Sequence, residues 1–128
     1  WFEVAPRGDQ YGSGIWGATP ATMAAWRRQI DEKPASFLRA VSPVLQGGYE
    51  VSDERYRRPK KEDLPAKIAF WYNLKEVYAS CPWKPVEGLL DAAAVENEMR
   101  CAMEQLTPFY RMLCKVVEWE QTALEREE

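Results

Sequence analysis

The chain has 128 residues, 46% of them hydrophobic and 29% charged, with 17 basic side chains, 20 acidic side chains and no histidine. This length and composition predict one globular domain spanning residues 1–128. The absence of histidine excludes Ser-His-Asp triads, Cys-His pairs and histidine-containing zinc sites within this chain, because each needs an imidazole. The net charge of -3 argues against a nucleic-acid partner bound mainly through its phosphates.

Cysteine use and hydropathy indicate a compartment. Cys81, Cys101 and Cys114 form no CxxC pair and are odd in number, which favours reduced thiols over disulfides. No apolar run approaches the roughly 20 residues of a membrane-spanning helix, and no signal-peptide pattern opens the chain. We therefore expect a cytoplasmic protein with no membrane partner. We also expect no metal and no cofactor.

The first third of the chain predicts a hairpin followed by two helices. Aromatic and polar residues alternate in 1–4, and a strand-like pattern resumes in 11–16 after turn residues, as is typical of a β-hairpin. Thr19 precedes a proline and predicts a helix start, because its hydroxyl can cap free amides and proline is tolerated in the first turn. That helix ends before Pro34, and a second short helix ends at the glycines 47–48.

The middle of the chain predicts short strands around a helix. Residues 49–51 and the stretch around Tyr56 are typical of a second pair of strands, and a charged loop follows at 60–63. Residues 68–72 have the spacing of a short helix. The interval 73–81 fits either a helix or a strand, and the alternation of its last residues favours a strand.

Two helices are predicted at the carboxyl terminus. Asp91 is placed to cap the first of them, and Thr107 followed by Pro108 predicts the start of the second. The acidic tail from Glu118 is expected to fray. The whole pattern predicts an α+β fold in which a small, mainly antiparallel sheet packs against helices.

Residues 12–17 match the string GxGxxG after a predicted strand, and Glu32 lies about twenty residues on. A dinucleotide-binding fold needs a βαβ unit of about 30 residues, whereas the stretch after the first helix has helical spacing. The bulky Trp16 also stands where the helix should begin. We interpret these glycines as strand positions that admit a neighbouring side chain or backbone, and not as a cofactor site.

The densest positive stretch is the basic–aromatic segment, residues 55–61, with five basic side chains around Tyr56. Guanidinium groups bind carboxylate and phosphate oxygens, and an interleaved aromatic ring can stack on a flat ligand. The alternative is a solvated strand edge, on which basic residues discourage pairing and neighbouring carboxylates neutralise much of the charge.

Lys75 follows the aromatic residues 70–72. If this cluster desolvates it, its ammonium becomes a tuned acid or an anion clamp. The alternative is that its stem lies along the rings and its head stays in water. Together with the basic–aromatic segment, the candidate anion-binding residues are Tyr56, Arg57, Arg58, Lys60, Lys75 and Tyr78.

Five segments follow one another along the chain: YGSGIW at 11–16, RRQI at 27–30, YRRPK at 56–60, WYNLKEVY at 71–78 and LTPFYRML at 106–113. In this order they resemble the carboxyl-terminal half of a bacterial family of conserved hypothetical proteins, a domain of unknown function. The resemblance marks as family positions Tyr56, Arg58, Pro59, Lys60, Lys75 and Tyr78. It implies kinship and no activity.

The resemblance also bears on the extent of the chain. The family carries its most distinctive signature, an Arg-rich stretch with an Arg-Asp pair followed by Asp-Lys-x-Pro-Tyr, in its amino-terminal half, and this signature is absent here. The chain opens at Trp1, already in a strand-like stretch. We therefore expect it to be a fragment of a longer protein.

Three functions remain open from the sequence. The first is a domain that binds an anionic small molecule or an acidic protein surface through the basic–aromatic segment and Lys75. The second is an assembly module that pairs with the missing amino-terminal half or with a second copy. The third is an enzyme that shares carboxylate, lysine or tyrosine chemistry with the absent half, since this chain has no histidine and no recognisable catalytic motif.

Overall fold

The structure, a computed structural model, describes residues 1–3, 9–83 and 92–127. The elements, in chain order, are β1 (Phe2–Glu3), β2 (Asp9–Ile15), α1 (Pro20–Glu32), α2 (Pro34–Gln46), β3 (Glu50–Val51), α3 (Ala66–Tyr72), β4 (Val77–Trp83) and α4 (Ala92–Glu127). The four described strands form one sheet in the order β1-β2-β4-β3, and their pairings are antiparallel. The predicted α+β fold, with a small antiparallel sheet packed against helices, is therefore confirmed.

The centre of the sheet is the pairing of β2 with β4, in which Ile15 lies opposite Val77. The predicted hairpin is confirmed, because β1 pairs with β2 on one side. On the other side β3 pairs with β4. The predicted pairing of 49–51 with the stretch around Tyr56 is therefore wrong. Val77 and Ala79 of β4 are buried, and Ala79 lies opposite Val51 of β3. Near Tyr56 the described residues form only an isolated bridge, between Arg55 and Leu74.

The glycines of β2 are needed for the close approach of its neighbours. A Cβ atom at Gly12 would clash with the carbonyl oxygen of Ala79 and with the indole ring of Trp1. One at Gly14 would clash with Tyr78. The interpretation as strand positions that admit a neighbouring side chain or backbone is therefore confirmed for Gly12 and Gly14. It is wrong for Gly17, which follows the end of β2, has a positive φ of 66° and, apart from its chain neighbours, has no atom of the described residues within 4 Å of its Cβ position.

The start of α1 has the predicted cap. The amide of Thr22 donates to the hydroxyl of Thr19 (3.2 Å), and the amide of Thr19 donates to the hydroxyl of Thr22 (3.1 Å). This reciprocal capping box satisfies amides that have no partner inside the helix. The predicted junction of α1 with α2 at Pro34, the end of α2 at Gly47, and the change from helix α3 to strand β4 are also confirmed.

The carboxyl-terminal region is one continuous helix, α4, so the prediction of two helices divided at Thr107 is wrong. Pro108 lies inside α4, where it removes one amide donor. Apolar positions recur at helical spacing on both sides of the proline and are buried in the core, and this packing keeps the helix continuous. They are Ala102, Leu106, Phe109, Leu113 and Val116. The predicted cap, Asp91, lies outside the described residues.

The tail from Glu118 is helical to Glu127 rather than frayed. A carboxylate oxygen of Glu120 accepts hydrogen bonds from the hydroxyls of Thr22 (3.1 Å) and Thr19 (3.3 Å). This contact joins α4 to the start of α1.

An aromatic cluster in the core fixes α3 against the longer helices. Trp26, Trp71 and Phe109 are fully buried, and their ring centroids lie 6.0–6.3 Å apart. The indole N–H of Trp26 donates to the carbonyl oxygen of Trp71 (3.1 Å). Because α3 is held in this way, the residues that follow it are brought beside α1.

The three cysteines lie among the described residues: Cys101 and Cys114 are exposed free thiols, and Cys81 is half-buried. No helix in the described part of the chain is both long and apolar enough to cross a membrane.

Candidate functional site

Tyr56 follows β3 without belonging to a strand, and backbone hydrogen bonds hold its segment against the end of α3. The amide of Tyr56 donates to the carbonyl oxygen of Asn73 (3.0 Å), and the amide of Lys75 donates to that of Glu54 (3.0 Å). The bridge between Arg55 and Leu74 lies between these two bonds. The segment before Tyr56 and the residues after α3 are therefore joined at three consecutive points.

Asn73, the residue that ends α3, organises this junction. Besides its carbonyl contact with Tyr56, its side-chain oxygen accepts a hydrogen bond from the amide of Lys60 (2.9 Å). Its side-chain nitrogen donates to the carbonyl oxygen of Ala69 in α3 (3.3 Å). One asparagine thus connects the helix, Tyr56 and the loop that carries Lys60.

The ring of Tyr56 lies among three cations from three parts of the chain. The ammonium nitrogen of Lys60 is 4.3 Å from the ring centroid, that of Lys75 is 5.7 Å away, and the guanidinium carbon of Arg27 is 5.8 Å away. Within about 6 Å an aromatic ring attracts a cation through its quadrupole. We call Arg27, Tyr56, Lys60 and Lys75 the Tyr56 cluster. Within the described residues, none of its cations forms a salt bridge with a carboxylate.

Arg27 is half-buried on α1, and one of its guanidinium nitrogens, Nη1, is buried with no hydrogen-bond partner in the described part of the chain. The carboxylate one turn along α1, Asp31, is engaged elsewhere. It accepts a hydrogen bond from the hydroxyl of Tyr72 (3.2 Å) and lies 3.4 Å from the ammonium nitrogen of Lys61. Arg27 therefore retains a donor that the described protein does not use.

The pKa of Tyr72 reflects the charges of the side chains beside the cluster. Burial raises the pKa of Tyr72, and the negative charge of Asp31 raises it further, while the positive charge of Arg27 opposes both. Arg27 and Asp31 are thus close enough for both charges to act on one phenol.

The six residues proposed from the sequence do not all meet. Tyr56, Lys60 and Lys75 lie together in the cluster, whereas Arg57 and Arg58 are exposed. Tyr78 lies on β4, where its ring stacks on that of Trp16 with centroids 5.7 Å apart.

Sequence reasoning missed Arg27 and Asn73 as members of this neighbourhood. Arg27 lies on a helix about thirty residues before Tyr56, and no local pattern connects the two. Both residues do fall in segments of the family resemblance, at 27–30 and 71–78, and that signal could have found them.

A second feature is a groove between β2 and α4, with a cavity of about 700 Å³. Five large hydrophobic side chains that line it are exposed. They are Trp1, Trp16, Met99, Met103 and Tyr110. The residues of the Tyr56 cluster do not line this groove.

Among the residues that the structure describes, no group of three or more cysteine, aspartate and glutamate side chains could hold a metal ion.

The family comparison places most of the chain in one family. The model of the family described as "Conserved hypothetical protein (DUF2461)" matches residues 1–112. The chain belongs to this family. The DUF2461 match includes the whole sheet and the whole Tyr56 cluster, and it ends within α4. No curated protein and no solved structure matches the sequence significantly.

Proposed function

We propose that the Tyr56 cluster binds a small anion that carries phosphate or carboxylate oxygens. The observation that supports this most directly is the meeting of three cations around one ring without a carboxylate partner among the described residues. Three like charges that each lie within 6 Å of one ring centroid repel one another. A bound anion relieves that repulsion.

Arg27 adds a second reason. A buried guanidinium N–H without an acceptor costs about 1–3 kcal/mol. An oxygen of the anion can accept from this N–H, so ligand binding recovers part of that cost. The side chains of Lys60 and Lys75 are exposed, so their ammonium groups can contact the anion with little desolvation.

Isothermal titration calorimetry with pyrophosphate, ATP and succinate tests the proposal. Lys60→Gln and Lys75→Gln each remove one exposed charge and are expected to raise Kd about two- to fivefold. Arg27→Gln is expected to raise it more, because it also removes the half-buried guanidinium.

The matched control is Arg58→Gln, which removes a charge two residues from Tyr56 and outside the cluster. We expect its Kd to stay within about twofold of the wild-type value. Absence of binding by all three anions contradicts the proposal. So does an Arg58→Gln effect as large as that of Lys75→Gln, because the response would then depend on overall charge rather than on the cluster.

A second candidate function is self-assembly through the groove between β2 and α4. A two-fold interface brings the same patch of two copies together, and pairing of this patch would remove five exposed hydrophobic side chains from water, which favours association. Light scattering tests this function, and a monomer at all protein concentrations contradicts it.

Several predictions from the sequence stay predictions. They are the assignment to the carboxyl-terminal half of a longer protein, the single domain over 1–128, the pairing with an amino-terminal half, the enzyme that shares its chemistry with that half, and the cytoplasmic location. The mass of the natural protein, measured on material isolated from its source, tests the first of them.

A further inference from the structure

A separate cavity of about 580 Å³ lies between α2 and α3. Its apolar lining includes Leu38, Leu45, Phe70 and Trp71, and its cationic lining consists of Arg39 and Lys67. Small-molecule sites typically have volumes of about 300–1,000 Å³ and mostly apolar walls with a few polar groups. The α2–α3 cavity has both properties.

Apolar surface is left uncovered at this cavity. Leu45 is 50% exposed and Phe70 is 39% exposed, although both are large hydrophobic residues. The guanidinium group of Arg55 lies over the ring of Phe70, 4.5 Å from its centroid. An apolar ligand body that covers Leu45 and Phe70 removes this surface from water, which favours binding.

Trp71 contributes an unused polar group. Its side chain is fully buried, yet its indole N–H has no acceptor within the described residues. The indole N–H of Trp26, by contrast, donates to the backbone of Trp71 itself. Buried tryptophan N–H groups usually have a partner, so the neighbourhood of this cavity has one unmet donor.

The cations on the cavity lining are also unpaired. Arg39 and Lys67 are both exposed, and neither forms a salt bridge in the described part of the chain. Arg39 does donate a hydrogen bond to the hydroxyl of Ser36 (3.2 Å). The cavity therefore combines apolar walls with two positive groups that face water.

From this combination we infer that the α2–α3 cavity binds a small amphipathic anion, an acyl or aryl carboxylate. The apolar body of the ligand covers Leu45 and Phe70 beside the buried Trp71, and its carboxylate lies beside Arg39 and Lys67. This ligand class differs from the hydrophilic anions proposed for the Tyr56 cluster, whose residues do not line the α2–α3 cavity.

The test is an NMR titration of the nitrogen-15-labelled chain with octanoate, followed at the six tryptophan indole N–H signals. We expect a saturable shift of the Trp71 signal. Octylamine has the same chain with a positive head group, and we expect its Kd to be at least about fivefold higher.

Two variants examine the charged lining. Lys67→Gln and Arg39→Gln change exposed side chains, so folding is not at risk, and each is expected to raise the Kd for octanoate about two- to fivefold. Leu45→Glu puts a negative charge at the uncovered apolar surface and is expected to raise the Kd for octanoate further than either of these variants does. Arg58→Gln, which removes an exposed positive charge outside both the cavity lining and the Tyr56 cluster, is the matched control and is expected to leave octanoate binding unchanged.

Three results overturn the inference. They are no saturable shift at Trp71, equal binding of octanoate and octylamine, and shifts confined to Trp1 and Trp16, which would place the ligand in the groove between β2 and α4. These results leave the proposed function intact, because pyrophosphate binding at the Tyr56 cluster is tested by Lys75→Gln and does not involve Lys67.

Discussion

At the scale of single residues, Tyr49 connects stability to pH. It is 6% exposed, and its hydroxyl donates to the side-chain oxygen of Gln105 (3.0 Å). Burial raises the pKa of Tyr49 to about 12, and nearby Cys81, Glu98 and Cys101 also raise it, while the neighbouring Tyr11 hydroxyl lowers it. For Tyr11, burial and its hydrogen bond to Glu98 raise the pKa well above the ordinary value.

This raised pKa predicts a loss of stability in alkali that Tyr49→Phe reduces. The folded chain holds the proton more tightly than the unfolded chain, whose tyrosines have a pKa of about 10. The contribution of Tyr49 is therefore complete below about pH 10 and is lost as the pH rises toward 12. Because Tyr49→Phe removes the hydrogen bond to Gln105, its free energy of unfolding at neutral pH is expected to be about 1 kcal/mol lower than that of the wild type. Above about pH 10 its stability is expected to fall less steeply with pH than that of the wild type.

Urea unfolding followed by tryptophan fluorescence, from neutral pH to about pH 12, measures both effects. Tyr11 still titrates in the variant, so the slope decreases without vanishing. An unchanged slope in Tyr49→Phe would show that this hydroxyl does not contribute to alkaline unfolding.

At the scale of elements, the start of α1 is held by α4 as well as by its own capping box. Thr22 is buried, and its hydroxyl both accepts from the amide of Thr19 and donates to Glu120. The carboxylate of Glu120 thus lies at the positive end of the α1 dipole, where a negative charge is favourable. The contact joins two elements that are about one hundred residues apart in sequence.

Removal of the Thr22 hydroxyl is expected to weaken this junction. Thr22→Val keeps the side-chain shape and loses both hydrogen bonds, which lowers the free energy of unfolding by about 1–2 kcal/mol. Glu120→Gln keeps a hydrogen-bond acceptor and loses the negative charge, so it is expected to lower the free energy of unfolding by less than Thr22→Val does, about 0.3–1 kcal/mol.

The matched control for this prediction is Thr122→Val. The hydroxyl of Thr122 donates to the carbonyl oxygen of Glu118 within the exposed end of α4. Thr122→Val is therefore expected to change the free energy of unfolding by no more than about 0.5 kcal/mol. Chemical denaturation measures all three variants. Equal losses for Thr22→Val and Thr122→Val would mean that the junction with Glu120 adds nothing.

The elements predicted correctly from the sequence are those with local causes. Thr19 and the proline after it mark the start of α1 whatever the rest of the chain does, and the glycines of β2 follow from close strand packing. Pro108 was misread because its local effect is outweighed by buried neighbours such as Leu106 and Phe109. Tyr56 was misplaced because strand pairing is decided by distant residues of β4.

The candidate site divides in the same way. Lys60 is near Tyr56 in sequence, and Lys75 was selected for its aromatic neighbours, so both were found. Arg27 reaches Tyr56 only because α1 packs beside the end of α3, and Asn73 matters through hydrogen bonds that close after folding. Single-sequence patterns contain no signal for such non-local contacts.

At the scale of the whole molecule, the core extends beyond the family match. The match ends at residue 112, but Leu113 and Val116 are buried in the core that α4 shares with α1 and α2. Trp119 lies under the guanidinium of Arg28, 4.0 Å from the ring centroid, and Glu120 completes the cap of α1. Residues 113–120 of α4 therefore belong to the folded unit.

Two truncated chains are expected to distinguish the contribution of residues 113–120 to stability from that of the exposed end of α4. A chain that ends at Gln121 loses residues that are exposed where described, and its stability is expected to change by no more than about 0.5 kcal/mol. A chain that ends at Met112 loses the burial of Leu113 and Val116, worth about 1.5–3 kcal/mol for each side chain, together with the Glu120 contact. Against a typical domain stability of about 5–15 kcal/mol, this is a large fraction. Urea unfolding followed by far-ultraviolet circular dichroism compares the two chains without relying on Trp119, and equal midpoints would contradict a core that continues past the family match.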